Sequence, residues 1–235
     1  MTDAGRRSEL AAALAQVHER IERACTAAGR PASEVTLVAV TKTYPASDVV
    51  LLAGLGVTDV GENRDQEAAP KAALVRAEGA TPRWHFIGQL QRNKTRSVVQ
   101  YADVVESVDS VRLAEALARA AVSRGAPLDV LVQVSIDGDV ARGGVAGDDL
   151  WRVSDSVAAA DTLRLGGVMA VAPVDWDPDR AFELLHGLSE RLVKLHPSAT
   201  AVSAGMSGDL EAAVRHGATH VRIGTSLLGM RNLLR

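Results

Sequence analysis

The sequence predicts an α/β fold, a single (β/α)8 barrel of the TIM type with an extra N-terminal helix. Three observations carry that expectation: eight short apolar runs of strand type, helical stretches between them, and a length of 235 residues. One such barrel typically needs roughly 250 residues, so one domain over residues 1–235 follows.

The chain opens on helical sequence. Over residues 8–29, Leu10, Leu14, Val17, Ile21 and Ala24 recur at spacings of three and four, which gathers them on one apolar face. Beyond Pro31 the period changes. Residues 36–41 (TLVAVT) are β-branched and nearly all apolar, the pattern of a strand covered on both faces. Seven more runs of this kind lie at 57–62, 84–88, 104–107, 128–135, 163–170, 201–205 and 220–224. Helical stretches at 110–124, 148–160, 178–195 and 207–216 separate several of them, each polar on one face. Alternation of this length suggests a closed parallel barrel. An open doubly wound sheet alternates too, but no GxGxxG or GxxxxGK[ST] follows the first strand, and GGVAG (143–147) sits in a loop.

Composition narrows the function. Hydrophobic residues are 47% of the chain and charged residues 23%, enough apolar surface for a sizeable core. With a net charge of −3 and its Lys and Arg scattered, the chain is expected to bind neither nucleic acid nor a membrane surface. Cys25 stands alone, so there is no intramolecular disulfide and no Cys-rich metal framework; the six histidines show no HExxH spacing. The polar N-terminus and the lack of an apolar stretch of roughly 18 residues add to a cytoplasmic expectation.

In parallel barrels, functional groups collect at the carboxyl ends of the strands. Lys42 stands there, directly after the first strand. Drawn into a desolvated mouth, a lysine favours its neutral amine, which attacks aldehydes; snorkelling out over the rim is the plain alternative. In VRIGTSLLG (221–229), Gly224 permits close backbone approach, and Thr225 offers a hydroxyl and an amide at a helix start. AGMSGD (204–209) puts Gly205 in a turn and Ser207 at an N-cap. Barrels often hold phosphate in the loops after strands seven and eight, although each segment alone also reads as an ordinary turn and cap. Asp209 and Glu211 count against an anion but complement a helix dipole. Arg222, two residues before Gly224, shares its face; buried, it needs an internal carboxylate or a ligand atom. His85 reads as a satisfied interior or rim histidine, and Trp84 and Phe86 as packing residues. The run Gln91, Arg92, Asn93, Lys94 either touches ligand anions or caps a helix.

Five stretches taken in order resemble the pyridoxal phosphate homeostasis protein family, whose fold is similar to the barrel domain of alanine racemase. They are LVAVTKTYP (37–45), DVGENRDQE (59–67), WHFIGQLQRNK (84–94), GGVMAVAP (166–173) and SAGMSGDLEAAVRHGATHVRIGTSLLG (203–229). The resemblance implies that pyridoxal 5'-phosphate (PLP) is held as a Schiff base on Lys42 and that Arg222 hydrogen-bonds the pyridine nitrogen. It also implies that Ser207, Gly224 and Thr225 hold the phosphate, while Asn63 and Met206 line the cofactor. Thr41, Arg64 and Ala204 depart from the Ser, Tyr and Met common at those places. None of the three removes a proposed ligand group, but Arg64 alters the rim.

An arginine against the pyridine nitrogen gives up no proton, since its pKa lies above about 12, so the ring is a weakened electron sink. Alanine racemases take a catalytic tyrosine from a second domain, and only residues 230–235 follow the last motif here. Of Tyr44 and Tyr101, only Tyr44 lies near the expected site, as a mouth-covering aromatic or a proton donor. The expectation is therefore no enzyme but a monomeric carrier that buffers, protects or delivers PLP to PLP-dependent apo-enzymes, affecting vitamin B6 and amino-acid balance. The alternatives are a PLP-dependent racemase or lyase, and a Schiff-base aldolase acting on a phosphorylated sugar.

Overall fold

A computed structural model describes residues 3–229, and in it each of the eight apolar runs becomes a strand. These are β1 (Thr36–Val40), β2 (Asp59–Glu62), β3 (Arg83–Phe86), β4 (Val104–Val108), β5 (Leu128–Val134), β6 (Leu163–Ala170), β7 (Ala201–Ser203) and β8 (His220–Ile223). They pair in chain order, all parallel, and close into a barrel through the pairs Thr36↔His220 to Ala39↔Ile223 between β1 and β8. The helices are α1 (Asp3–Ala27), α2 (Ala46–Ala53), α3 (Asp65–Ala77), α4 (Thr95–Val98), α5 (Val111–Ala121), α6 (Asp149–Ala158), α7 (Pro178–Leu195), α8 (Leu210–Arg215) and α9 (Thr225–Leu228). No helix among the described residues is long and apolar enough to cross a membrane.

Local chemistry explains the elements. Ser110 caps α5 by accepting from the Leu113 amide at 3.3 Å, and Asp177 caps α7, with Pro178 in the first turn where its missing N–H costs nothing. Several boundaries differ from the sequence expectation by one to a few residues, two of them at the carboxyl end of β7. β7 stops at Ser203, because Gly205 at φ +90° turns the chain, and α8 begins at Leu210, not at residue 207. The first helix starts earlier than its apolar stripe, at Asp3.

The main apolar core lies between strands and helices. Leu52, Val75, Leu117, Leu150, Phe182 and Leu185 are buried there with outward-facing strand residues such as Val60 and Val105. Trp84 meets Tyr101 edge to face at 6.4 Å, in a packing role. Inside the barrel, by contrast, only Val104, Leu131 and Met169 form a small apolar cluster. Polar side chains fill much of the rest.

Helix α1 lies over the closing seam. Its buried stripe of Leu10, Leu14, Val17 and Ile21 joins the main core. Arg6 reaches Asp48 on α2 at 2.7 Å and the Leu228 carbonyl at 3.1 Å. Arg20 grips both carboxylate oxygens of Glu211, at 2.5 and 2.6 Å, and the Ser207 carbonyl at 2.7 Å. The helix thus holds the loops after β7 and β8 from behind. Leu14→Ala should cost about 2–5 kcal/mol, seen as a lower urea midpoint with an unchanged denaturant slope.

Candidate functional site at the barrel mouth

Closure of β8 on β1 decides which side chains can meet. Val38 pairs with Arg222, and one step up a Cβ on Gly224 would stand 3.4 Å from both the Cβ and the carbonyl oxygen of Val40. Strand alternation puts Val38 and Val40 on one face with Arg222 and Gly224 on the same inward side, and Lys42 follows two residues after Val40 on the turn that leaves β1. The expected amine, the expected arginine and the glycine therefore converge at the carboxyl ends of two neighbouring strands.

One expectation needs correction here. Lys42 is exposed, lifted on a turn above the rim after β1 ends at Val40, so the barrel wall does not desolvate it. Any drying of this amine has to come from a molecule laid over it.

The remaining expected residues ring the same mouth. Thr225 is exposed at the first position of α9, directly after Gly224. Ser207 is not an N-cap: Asp209 occupies that position, and Ser207 lies two residues earlier in the turn, its carbonyl held by Arg20. Its hydroxyl is consequently not spent on a helix amide. Met206 is 39% exposed, and its amide donates to Asp209 Oδ1 at 2.6 Å, so this carboxylate takes a backbone donor that an anion could otherwise use. Half-buried Asn63 follows β2 and lines a hollow of about 150 Å3 with Arg64, Phe86, Gln91 and Lys94. The run from Gln91 to Lys94 thus does two things, forming a single 3-10 turn into α4 and edging this hollow. A larger hollow of about 570 Å3 lies at the opposite end of the barrel, around Thr58, Asp59 and Arg83, away from Lys42. Among the described residues, the polar side-chain groups of Lys42, Asn63, Ser207 and Thr225 have no hydrogen-bond or ion-pair partner in the protein.

Two networks went unread in the sequence. The first secures the Lys42 turn from the outside. Lys71 on α3 is buried and donates to the Thr41 carbonyl at 2.9 Å, to Glu62 Oε1 at 2.6 Å and to Glu67 Oε1 at 2.9 Å. Thr41 Oγ1 donates to the same Glu62 oxygen at 2.7 Å, and Glu67 accepts from the Thr43 amide. Thr43, adjacent to Lys42, is the one non-glycine residue with positive φ (68°) among the described residues, a strained conformation held by these contacts. Burial pushes the Glu62 carboxyl up, against the lowering pull of Lys71 and Thr41. The i,i+4 spacing of Glu67 and Lys71 was the available signal. Lys71→Met should destabilise the fold by about 3–5 kcal/mol, because Glu62 is left buried without its cation; Glu62→Gln added to it should recover much of the loss in a denaturation series.

The second network crosses the barrel interior. His85 is buried, with Nε2 2.9 Å from Asp59 Oδ1 and Nδ1 2.6 Å from Glu106 Oε1. Ser203 Oγ donates to Glu106 Oε2 at 2.6 Å and accepts from Arg222 Nη1 at 2.7 Å; Arg222 Nη2 donates to the Ala170 carbonyl at 2.8 Å. The internal acceptors that Arg222 requires are therefore a hydroxyl and a carbonyl, with Glu106 behind them at 3.9 Å. Burial alone would lower His85, but its bonds to Asp59 and Glu106 prevail and raise it to about 9. Burial likewise works to raise Glu106, and the His85 and Arg222 charges with the Ser203 bond carry it down to about 2. A carboxylate within the apolar run 104–107 was the sequence signal for this network.

A histidine whose folded pKa is raised stabilises the fold fully below its unfolded value of 6.5 and loses that contribution as pH rises through about 9. The stability difference between wild type and His85→Gln should accordingly be widest below 6.5 and shrink steadily toward 9, followed by denaturant midpoints across that range.

Comparison with known proteins adds kinship to the geometry. A family model described as alanine racemase, N-terminal domain, matches residues 13–232. A pyridoxal phosphate homeostasis protein of Mycobacterium leprae is 45% identical over 244 residues, covering 97% of this chain and 95% of its own length. The protein of that name from Escherichia coli K12 is 36% identical, covering 96% and 98%. Among solved structures, PipY of Synechococcus elongatus PCC7942 with PLP bound superposes with a TM-score of 0.82 at 32% identity, covering 94% of this chain and all of its own.

Proposed function

We propose that this chain, which belongs to the pyridoxal phosphate homeostasis protein family and shares its alanine racemase N-terminal domain, binds pyridoxal 5'-phosphate at the barrel mouth and serves in the intracellular homeostasis of that cofactor. The observation that carries this reading is the convergence, through the β1–β8 register, of Lys42 with inward-facing Arg222 beside Gly224, ringed by unpartnered Asn63, Ser207 and Thr225. The donor set fits the group: an amine for an aldehyde, a fixed cation for a ring nitrogen, and hydroxyls with a glycine-bounded amide for a phosphate.

When bound, the cofactor supplies an aldehyde that condenses reversibly with an amine, and a ring able to withdraw electrons. Lys42 brings the amine on its strained turn. Arg222 keeps its protons: burial lowers its pKa, the Glu106 carboxylate opposes that, and the guanidinium remains a donor of hydrogen bonds and not of protons. Ser207, Gly224 and Thr225 hold the phosphate end, and Asn63 and Met206 border the ring.

Two placements favour a carrier that stores, protects or delivers PLP to PLP-dependent apo-enzymes in the cytoplasm over a racemase or lyase. The Tyr44 hydroxyl donates to the Gly229 carbonyl at 2.5 Å instead of standing over Lys42. Tyr101 is buried against Trp84. Neither tyrosine is disposed to move a proton at the mouth.

Incubated with PLP and reduced with borohydride, the protein should turn from yellow to colourless, and peptide mass spectrometry should locate the adduct on Lys42. Lys42→Ala should stay colourless. An adduct on another side chain, or Cα deuterium exchange into amino acids at enzymatic rates, would reverse the reading.

A further inference from the structure

The hydrogen-bonded line behind Arg222 reaches further than holding one arginine requires. It draws one residue from each of β2 (Asp59), β3 (His85), β4 (Glu106), β7 (Ser203) and β8 (Arg222), and its end is fixed on β6 through the Ala170 carbonyl. Six of the eight strands meet in it.

Its polarity is determined by counting protons. A neutral imidazole has one N–H, yet both ring nitrogens of His85 face carboxylates; an imidazolium satisfies both, and the two carboxylates then accept. Glu106 spends one oxygen on His85 and the other on Ser203. Having given its only proton to Glu106, the Ser203 hydroxyl can only accept from Arg222. No member can turn over without breaking a neighbour's bond. Along the line the charges alternate, Asp59 negative, His85 positive, Glu106 negative, Arg222 positive, so the buried guanidinium is compensated from below and not by solvent. Other titratable groups near this line are His220, whose ring centroid is 6.0 Å from that of His85 and which burial holds low, Arg83, paired to Asp129, and Asp209, whose charge acts on Arg222.

We propose that Glu106 and His85, acting through Ser203, are positioning residues that fix the direction of the Arg222 guanidinium and restrain how strongly it draws electrons from the group it faces. The proposal rests on the reading that Arg222 faces the ring nitrogen of bound PLP. Its consequence is that the carboxylate of Glu106, buried in the barrel interior and two hydrogen bonds of the network from Asp59, governs both the tightness and the electronic state of the bound cofactor. In this way the barrel interior, and not only the rim, sets how readily the cofactor is released.

The test compares Glu106→Gln and Ser203→Ala with wild type and with Leu14→Ala, which weakens the fold from the outer core without touching the line. Each is loaded with PLP, and three quantities are measured: the borohydride adduct by mass spectrometry, the position of the visible absorption band, and the PLP dissociation constant by titration. We expect both interior variants to keep the adduct on Lys42 but to shift the band and to bind PLP about tenfold more weakly or worse, the scale of one lost charged hydrogen bond, while Leu14→Ala changes neither. Should Glu106→Gln fail to fold, Ser203→Ala decides alone, since it cuts the line while leaving all four charges in place. Interior variants with a wild-type band and affinity overturn the proposal and leave the Lys42 reading intact. A wild-type chain that takes no adduct on Lys42 overturns that reading, and this proposal with it.

Discussion

Parallel pairing of the last strand with the first is the constraint on which the rest of the molecule depends. It is non-local, joining residues 36–39 to 220–223, and it alone brings Lys42, near the start of the chain, beside Arg222 and Gly224, near its end. A shift of one residue in that register would send Arg222 out toward the helices and leave the mouth without its cation. Helix α1 protects the seam from outside, with its leucine stripe in the core and its arginines on α2, Glu211 and the loops beyond β7 and β8.

Around this seam the barrel divides its labour. Apolar burial is concentrated between strands and helices, where the strands present Val, Leu or Ile, and β3 presents Trp84 and Phe86, to the helix stripes. The interior carries charge instead, compensated in alternating sign from Asp59 to Arg222. Such a line contributes less net stability than hydrocarbon would, because each ion must be desolvated. It contributes direction: His85, Glu106 and Ser203 are each bonded on both sides, so the arginine at its top has one orientation. The Lys71 cluster does the same outside the barrel for the strained turn that carries Lys42. The two groups proposed to meet the cofactor's aldehyde and ring are thus each backed by a buried ionic network reaching to a different layer of the fold.

Local pattern by itself determined the architecture. Short apolar runs and period-3.6 hydrophobicity are properties of neighbouring residues, and all eight strands formed where those runs lay, with ends displaced by one or two positions where a turn such as that at Gly205 intervened. The lysine after β1 was legible from its place at the strand's carboxyl end, and the Arg-x-Gly-Thr segment of β8 because strand alternation puts Arg222 and Gly224 on one face. Only the tertiary structure decided that Lys42 stands exposed on a strained turn, that Ser207 leaves its hydroxyl unspent, and that Arg222 answers to Ser203 and, behind it, Glu106. Those facts depend on which side chains closure places opposite one another across the barrel. Distances of that kind, between residues 97 positions apart for Glu106 and Ser203 and 187 apart for Arg20 and Ser207, are written in no local spacing.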